Sequence, residues 1–483
     1  MGFWPCWRSS FWPLAFSPDC SWSFPMPEYV DVMAFIPEVF LAVMVPVFLF
    51  LGLWKKQDSY NHLAWLAMGI AFIVIILLFS GERQTDIDTR FAILACMATM
   101  AALVLLPGDA GQEDMPRPEY PGLVLCSLLG SLFMLRTHHG LFLVMGSLLA
   151  GLPLTTLALL HQGNGSRKKA FQVSSTLYVA MGMASACLAF GFMFLYVACG
   201  TLSYQTLGGF AMPTAAMLLG ASFVVCGLLV FCGIVFFHAW VVVAMQSGAA
   251  SLSLLSALLL PLSSFGVLFS LFHGPLAWAL PVFAMPLRFM GGLSVLLAGA
   301  GVLMGRQARI YKLLSGAIIA QGGIGLVALV SMKAWAVALH GTIYLLAMAG
   351  MGGLLLALRR NGDRLDEMTD IHAFADQNPL LAVILLVFAG SLSFLPPFPG
   401  FVAFYAVMDA VPEMPVRILL VAGAFLFAVG QMRAFSGVFA GVDDKEHAMA
   451  GQFSLSVPIR LMTLVCIAGL LGFLFLPHAL MSP

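Results

Sequence analysis

Residues able to do chemistry are few in this sequence, and those of most interest sit inside or beside apolar runs. Arg288 lies in VFAMPLRFMGG, His238 in VFFHAWVV, Gln321 in AIIAQGGIG and Glu38 in FIPEVFLAV. A polar or ionisable side chain in hydrocarbon is expensive, so each one marks a functional position by default. His238 fits a proton path, and it fits equally as a satisfied structural histidine. Gln321 fits a hydrogen bond between helices or a held water. Arg288 has two readings, an ion pair with a carboxylate or a side chain that snorkels to the interface. Glu38 is expected at an exposed or interfacial place near the end of its run. Lys312 and Arg433 flank runs, where a long basic side chain reaches back to water. Asp409 closes a run near solvent.

Other chemistries find no residues to carry them. The nine cysteines are scattered and include no CxxC pair, so they read as small buried side chains of helices. His and Cys do not cluster at metal-ligand spacing, no nucleophile stands beside a base, and no strand is expected that could lead into a phosphate-binding glycine loop. The chain is 61% hydrophobic and 9% charged over 483 residues, a composition of polytopic membrane proteins. Lys+Arg and Asp+Glu number 22 each, so net charge points to neither nucleic acid nor acidic partners.

The elements that must position these residues are membrane helices. Apolar runs long enough to span predict about fourteen, near 32–53, 62–80, 91–106, 120–135, 141–161, 171–199, 210–245, 250–272, 276–304, 312–331, 333–358, 379–410, 416–438 and 456–478. Runs seven and twelve are overlong and carry helix-weakening residues. The seventh holds Gly233, His238, Gln246 and Gly248, and the twelfth holds LPPFPG at 395–400. Bilayers tolerate such breaks only where protein re-satisfies the freed backbone or a polar cavity is lined. Their spacing of five runs predicts two inverted five-helix repeats with broken helices 7 and 12. The organisation expected is a 1–30 extension, helices 1–3 over 31–106, helices 4–8 over 120–272, helices 9–13 over 276–438 and helix 14 over 456–478. The extension lacks the unbroken apolar core of a signal peptide, so it reads as an interfacial tail or as a mis-called start with the true one at Met26 or Met33. Loops after odd-numbered runs hold fifteen Lys and Arg and the opposite loops six, with Arg288 inside a run. That bias puts the odd loops in the cytoplasm and both termini outside.

Several stretches together resemble one family. They are PEVFLAV, EYPGLVLCSLLGSLFMLRTHHGLFLVMGSLLAGLPL, ASACLAFGFMFLYVACGTLSY, FFHAW, RIYKLLSGAIIAQGGIGL and SLSFLPPFPGFVAFY, spread over about residues 31–480. The chain resembles the antiporter-like membrane subunits of bacterial NADH-quinone oxidoreductase (respiratory complex I), the N type most of all. That resemblance implies an all-α membrane-arm subunit in the bacterial inner membrane, placed beside other membrane subunits and lipid. NADH, FMN, iron–sulfur clusters and quinone would then be held by partner chains, with no cofactor here.

The resemblance also implies a central row of one glutamate and several lysines that moves protons. Carried over residue by residue, the fifth-helix glutamate falls on Leu148, and the lysines fall on Thr176, Phe231, Pro261 and Phe404. The TPD after the seventh-helix motif is Val241, Val242 and Val243. None of these side chains titrates near neutral pH. The expected function is therefore a subunit of a proton-translocating NADH:quinone oxidoreductase with a weakened or absent proton path of its own. His238, Gln321 and Lys312 remain as candidates for a residual polar path. The alternative is a structural, non-transporting subunit of a related hydrogenase, cation/proton antiporter or ion-coupled uptake complex.

Overall fold

The computed structural model describes residues 35–54, 60–80, 86–110, 117–161, 167–209, 213–247, 249–305, 309–331, 334–360, 363–371, 374–439 and 453–475. The extension at 1–30, the alternative starts in it and nearby, and Gly248 lie outside them. The first five helices are α1 (Ile36–Trp54), α2 (Tyr60–Ser80), α3 (Ile87–Ala110), α4 (Tyr120–Arg136) and α5 (Gly140–Leu160). The 33-residue α6 (Arg167–Cys199) and the short α7 (Tyr204–Leu207) follow. The seventh run is two helices, α8 (Ala215–Cys232) and α9 (Ala239–Met245). Beyond it come α10 (Ala250–His273), α11 (Leu280–Met304), α12 (Ile310–Val330), α13 (Ala334–Ala357) and a four-residue α14 (Phe374–Gln377). The twelfth run is again two helices, α15 (Pro379–Leu392) and α16 (Pro399–Ala410), and α17 (Met414–Phe435) and α18 (Val457–Phe475) complete the chain.

Among the described residues, eleven helices are long and apolar enough to cross a membrane. The architecture is an all-α polytopic membrane protein, as its composition requires, because a helix satisfies its own backbone in lipid. One expectation needs correcting: the described residues include three two-residue strands, β1 (Arg359–Arg360), β2 (Asp363–Arg364) and β3 (Phe453–Ser454), in the antiparallel order β2-β1-β3. They clip the segment after α13 to the one before α18.

Depth of burial sorts the helices. Those at the centre, α10 and α12, are buried along nearly their whole length, as expected of helices apolar all round. At the periphery, α1, α2, α5, α6 and α17 each expose an apolar stripe, including Phe50, Phe72, Met145, Phe171 and Phe425. In a membrane such stripes meet lipid or neighbouring helices.

Candidate functional site: two helix breaks joined by α12

Each break frees backbone groups, and named side chains take them up. In the first, Gly233 and Phe236 adopt left-handed backbone, with φ of 65° and 73°. The Trp240 indole N–H donates to Val230 O at 2.8 Å, and Val235 N–H donates to the Ser294 hydroxyl of α11 at 3.1 Å. In the second, Phe394 is left-handed at φ 58°. Leu395 N–H donates to Gly390 O at 3.1 Å, and the Gln321 side-chain amide donates to Leu392 O at 2.9 Å. Gly400 starts α16 so close to α15 that a Cβ there would lie 1.7 Å from Ser391 O. No side chain can be accommodated against a backbone atom at that distance, which explains the glycine after the prolines.

Between the two breaks runs α12. At Gly322 it comes within 3.4 Å of Cys232 O and Ile234 of the first break, measured from the position of a Cβ. One residue earlier, Gln321 holds the second. His340 of α13 places a ring nitrogen 3.0 Å from the Gln321 backbone carbonyl and stacks on Tyr344. Tyr344 in turn donates its hydroxyl to Ala257 O of α10 at 2.6 Å. Ala257 is four residues before Pro261, whose missing N–H would otherwise have bonded that carbonyl. The tyrosine therefore replaces a hydrogen bond that the proline removes.

The five positions of the expected charged row are filled accordingly. Phe231 is fully buried at the end of α8, and Pro261 is buried in the middle of α10. Phe404 is buried with its ring 5.3 Å from that of Phe394, which also neighbours Phe427 at 6.5 Å. Leu148 faces outward, 41% exposed, and the Thr176 hydroxyl turns back to Gln172 O at 2.9 Å. None of the five can take up or release a proton at neutral pH.

The three residues expected along a residual path are not brought together. Gln321 serves the backbone of the second break. Lys312 is exposed in the first turn of α12, nine residues from Gln321, which is about 13 Å along a helix. His238 sits at the start of α9, half-buried, and its Nδ1 makes no hydrogen bond with the described residues. Glu38 corrects its expectation: it is 1% exposed and its carboxylate is 2.7 Å from Arg136 Nε at the end of α4. Arg288 resolves as the ion-paired case, bound to Glu413 at the head of α17. Glu38 and Arg136 lie at helix ends, whereas Arg288, the ninth residue of α11, reaches Glu413 at the head of α17.

His340 and Tyr344 were not among the residues singled out from the sequence. The available signal was a histidine in the apolar run WAVALHGTIYLL, costly in lipid and therefore worth a partner search. Among the described residues no three His, Cys, Asp or Glu side chains gather as a metal site would require.

Comparison with known proteins fits this frame. The chain is 26% identical over 410 residues to NADH-quinone oxidoreductase subunit N of Paramagnetospirillum magneticum, covering 80% of this chain and 83% of that one. It is 24% identical over 465 residues to the subunit N of Jannaschia sp., covering 91% and 94%. Its fold matches a chain of respiratory complex I from Thermus thermophilus with bound aureothin, with TM-score 0.75, 21% identity and coverage of 92% and 99%. A chain of the Mrp complex from Dietzia sp. matches with TM-score 0.76, 15% identity and coverage of 93% and 94%. Residues 138–430, more than half of the sequence and including both breaks, match the family described as NADH:quinone oxidoreductase/Mrp antiporter, TM, and the chain belongs to that family.

Proposed function

We propose that this chain is a membrane-arm subunit of a proton-translocating NADH:quinone oxidoreductase that keeps the antiporter-like frame and has lost its own charged proton row. The observation that carries the reading is the filling of that row. Phe404 packs on Phe394, Pro261 is served by Tyr344, and Phe231 is fully buried. A relay needs groups that titrate and stand within hydrogen-bond reach of one another, and these do not. The relatives named subunit N, matched over most of their length, support the host complex.

The rest of the reading follows from the same frame. NADH, FMN, iron–sulfur clusters and quinone belong to partner chains, and the neighbours of this chain are other membrane subunits of the inner membrane. Both termini lie outside, on the basis of the fifteen-to-six Lys and Arg bias. The two broken segments belong to inverted five-helix repeats. What supports this is that both breaks hold a left-handed phenylalanine and are closed by polar side chains from outside the break.

A second reading, a bracing subunit of a related cation/proton antiporter assembly, is favoured by the equal fold match to the Mrp complex. Purifying the native complex and identifying its subunits separates the two. Co-purification with the NADH-oxidising and quinone-reducing subunits is expected, and an assembly without them would overturn the first reading.

A further inference from the structure

Outside the two breaks, one pair of side chains has chemistry that the proposed function leaves unused. Cys187 of α6 and Cys226 of α8 are both half-buried free thiols, and they neighbour each other across the seam between those two helices. The backbone brings them together. On one side of the pair, a Cβ at Gly227 would lie 2.7 Å from Ala184 O. On the other, a Cβ at Gly191 would lie 2.7 Å from Val224 N. The two helices thus touch backbone to backbone on either side of the thiols, about one turn away along α6 and one or two residues away along α8. Such an approach suits a disulfide, which needs Cα atoms about 4.4–6.8 Å apart.

Depth decides what can react there. Cys187 is twelve residues from the end of α6 and Cys226 eleven from the start of α8. At 1.5 Å per residue both stand about 17 Å from those ends, near the middle of a hydrocarbon layer about 30 Å thick. Glutathione and other charged thiol reagents do not enter that layer. Next to the thiols on the same seam lie Phe190, Phe194 and Phe223. Phe194 and Phe223 stack at 5.9 Å with an interplanar angle of 12°, and Phe190 is 6.4 Å from Phe223. Phe190 is 54% exposed. Phe190 is tilted by 42° from Phe223, and the three rings open the seam to the side of the molecule as an aromatic surface on which a planar, lipid-soluble ring can pack.

We propose that Cys187 and Cys226 form a redox modification site, closed to a disulfide by a membrane quinone. Both S–H bonds break and one S–S bond forms. The two electrons and two protons released pass to the two carbonyl oxygens of the quinone, which leaves as the hydroquinone. The bond fastens α6 to α8, the helix that leads into the first break.

The test uses the complete complex in its native membranes. It is treated with a fully substituted benzoquinone, whose ring offers no open position for thiol addition, or with copper–phenanthroline. Free thiols are then blocked with N-ethylmaleimide and peptides are mapped without reduction. A Cys187–Cys226 linkage is expected with either oxidant in most copies of the chain, reversed by a membrane-permeant reductant. In Cys187→Ser the Cys226 thiol should stay fully alkylated, while Cys199→Ser should leave the linkage unchanged. Closure by copper–phenanthroline but not by the quinone overturns the quinone assignment. Full alkylation of both thiols after either oxidant overturns the site itself.

Discussion

Pro261 and Tyr344 lie on neighbouring helices and share one carbonyl. The proline removes the donor for Ala257 O, and the tyrosine supplies another from α13. Removing the hydroxyl leaves a buried acceptor unpaired, at a cost of about 1–3 kcal/mol. Tyr344→Phe is therefore expected to lower the thermal stability of the subunit within the complex. Pro261→Ala restores the N–H, so adding it should recover most of the loss. The pair should show a coupling of about 1 kcal/mol in a double-mutant cycle, within the range of interhelical bonds in membranes. Equal losses in Tyr344→Phe with and without Pro261→Ala would refute the exchange. Phe404→Lys would place an ammonium in the Phe394 and Phe427 cluster without a partner from the lost row. It is expected to reduce assembly, seen as a lower yield of complete complex on native gels, and to add no proton transport.

At the scale of elements, Gly400 and the Glu38–Arg136 pair set where helices meet. Gly400→Ala would drive a methyl into Ser391 O, so the second break would have to open, at about 3 kcal/mol or more. Its expected readout is a marked loss of the chain from membranes, with Ala403→Gly as a milder comparison. Arg136→Leu strands a buried carboxylate at 1% exposure and should cost about 3–5 kcal/mol, whereas Glu38→Leu with Arg136→Leu should cost less. Thermal retention of the subunit in purified complex measures both. The sequence read well at this scale. Apolar length marked the membrane segments, and proline and glycine marked both breaks, because those signals are local. Partners were not legible. Ser294 for Val235, Gln321 for Leu392 and Arg136 for Glu38 lie tens of residues away, and no periodicity records a contact across that distance. Glu38 misled for the same reason, since a carboxylate in a first turn reads as exposed until its arginine is known.

For the molecule as a whole, the same physics separates frame from function. Backbone satisfaction at the breaks depends on Trp240, Ser294 and Gln321, and all three remain in place without any lysine in the row. The closure of the breaks therefore needs no lysine at Thr176, Phe231, Pro261 or Phe404. Orientation belongs to this scale too. A reporter fused at Pro483 is expected to be active only outside the cytoplasm, and cytoplasmic activity would reverse the reading of the Lys and Arg bias. The central claim, that no proton path runs through this chain, is tested most directly by the proton-to-electron stoichiometry of the complex reconstituted in sealed vesicles. Wild type should be compared with His238→Gln and with His340→Leu, each checked for full assembly. Equal stoichiometry in all three is the predicted result. A lower yield in either fully assembled variant would show that protons still cross beside the helix breaks.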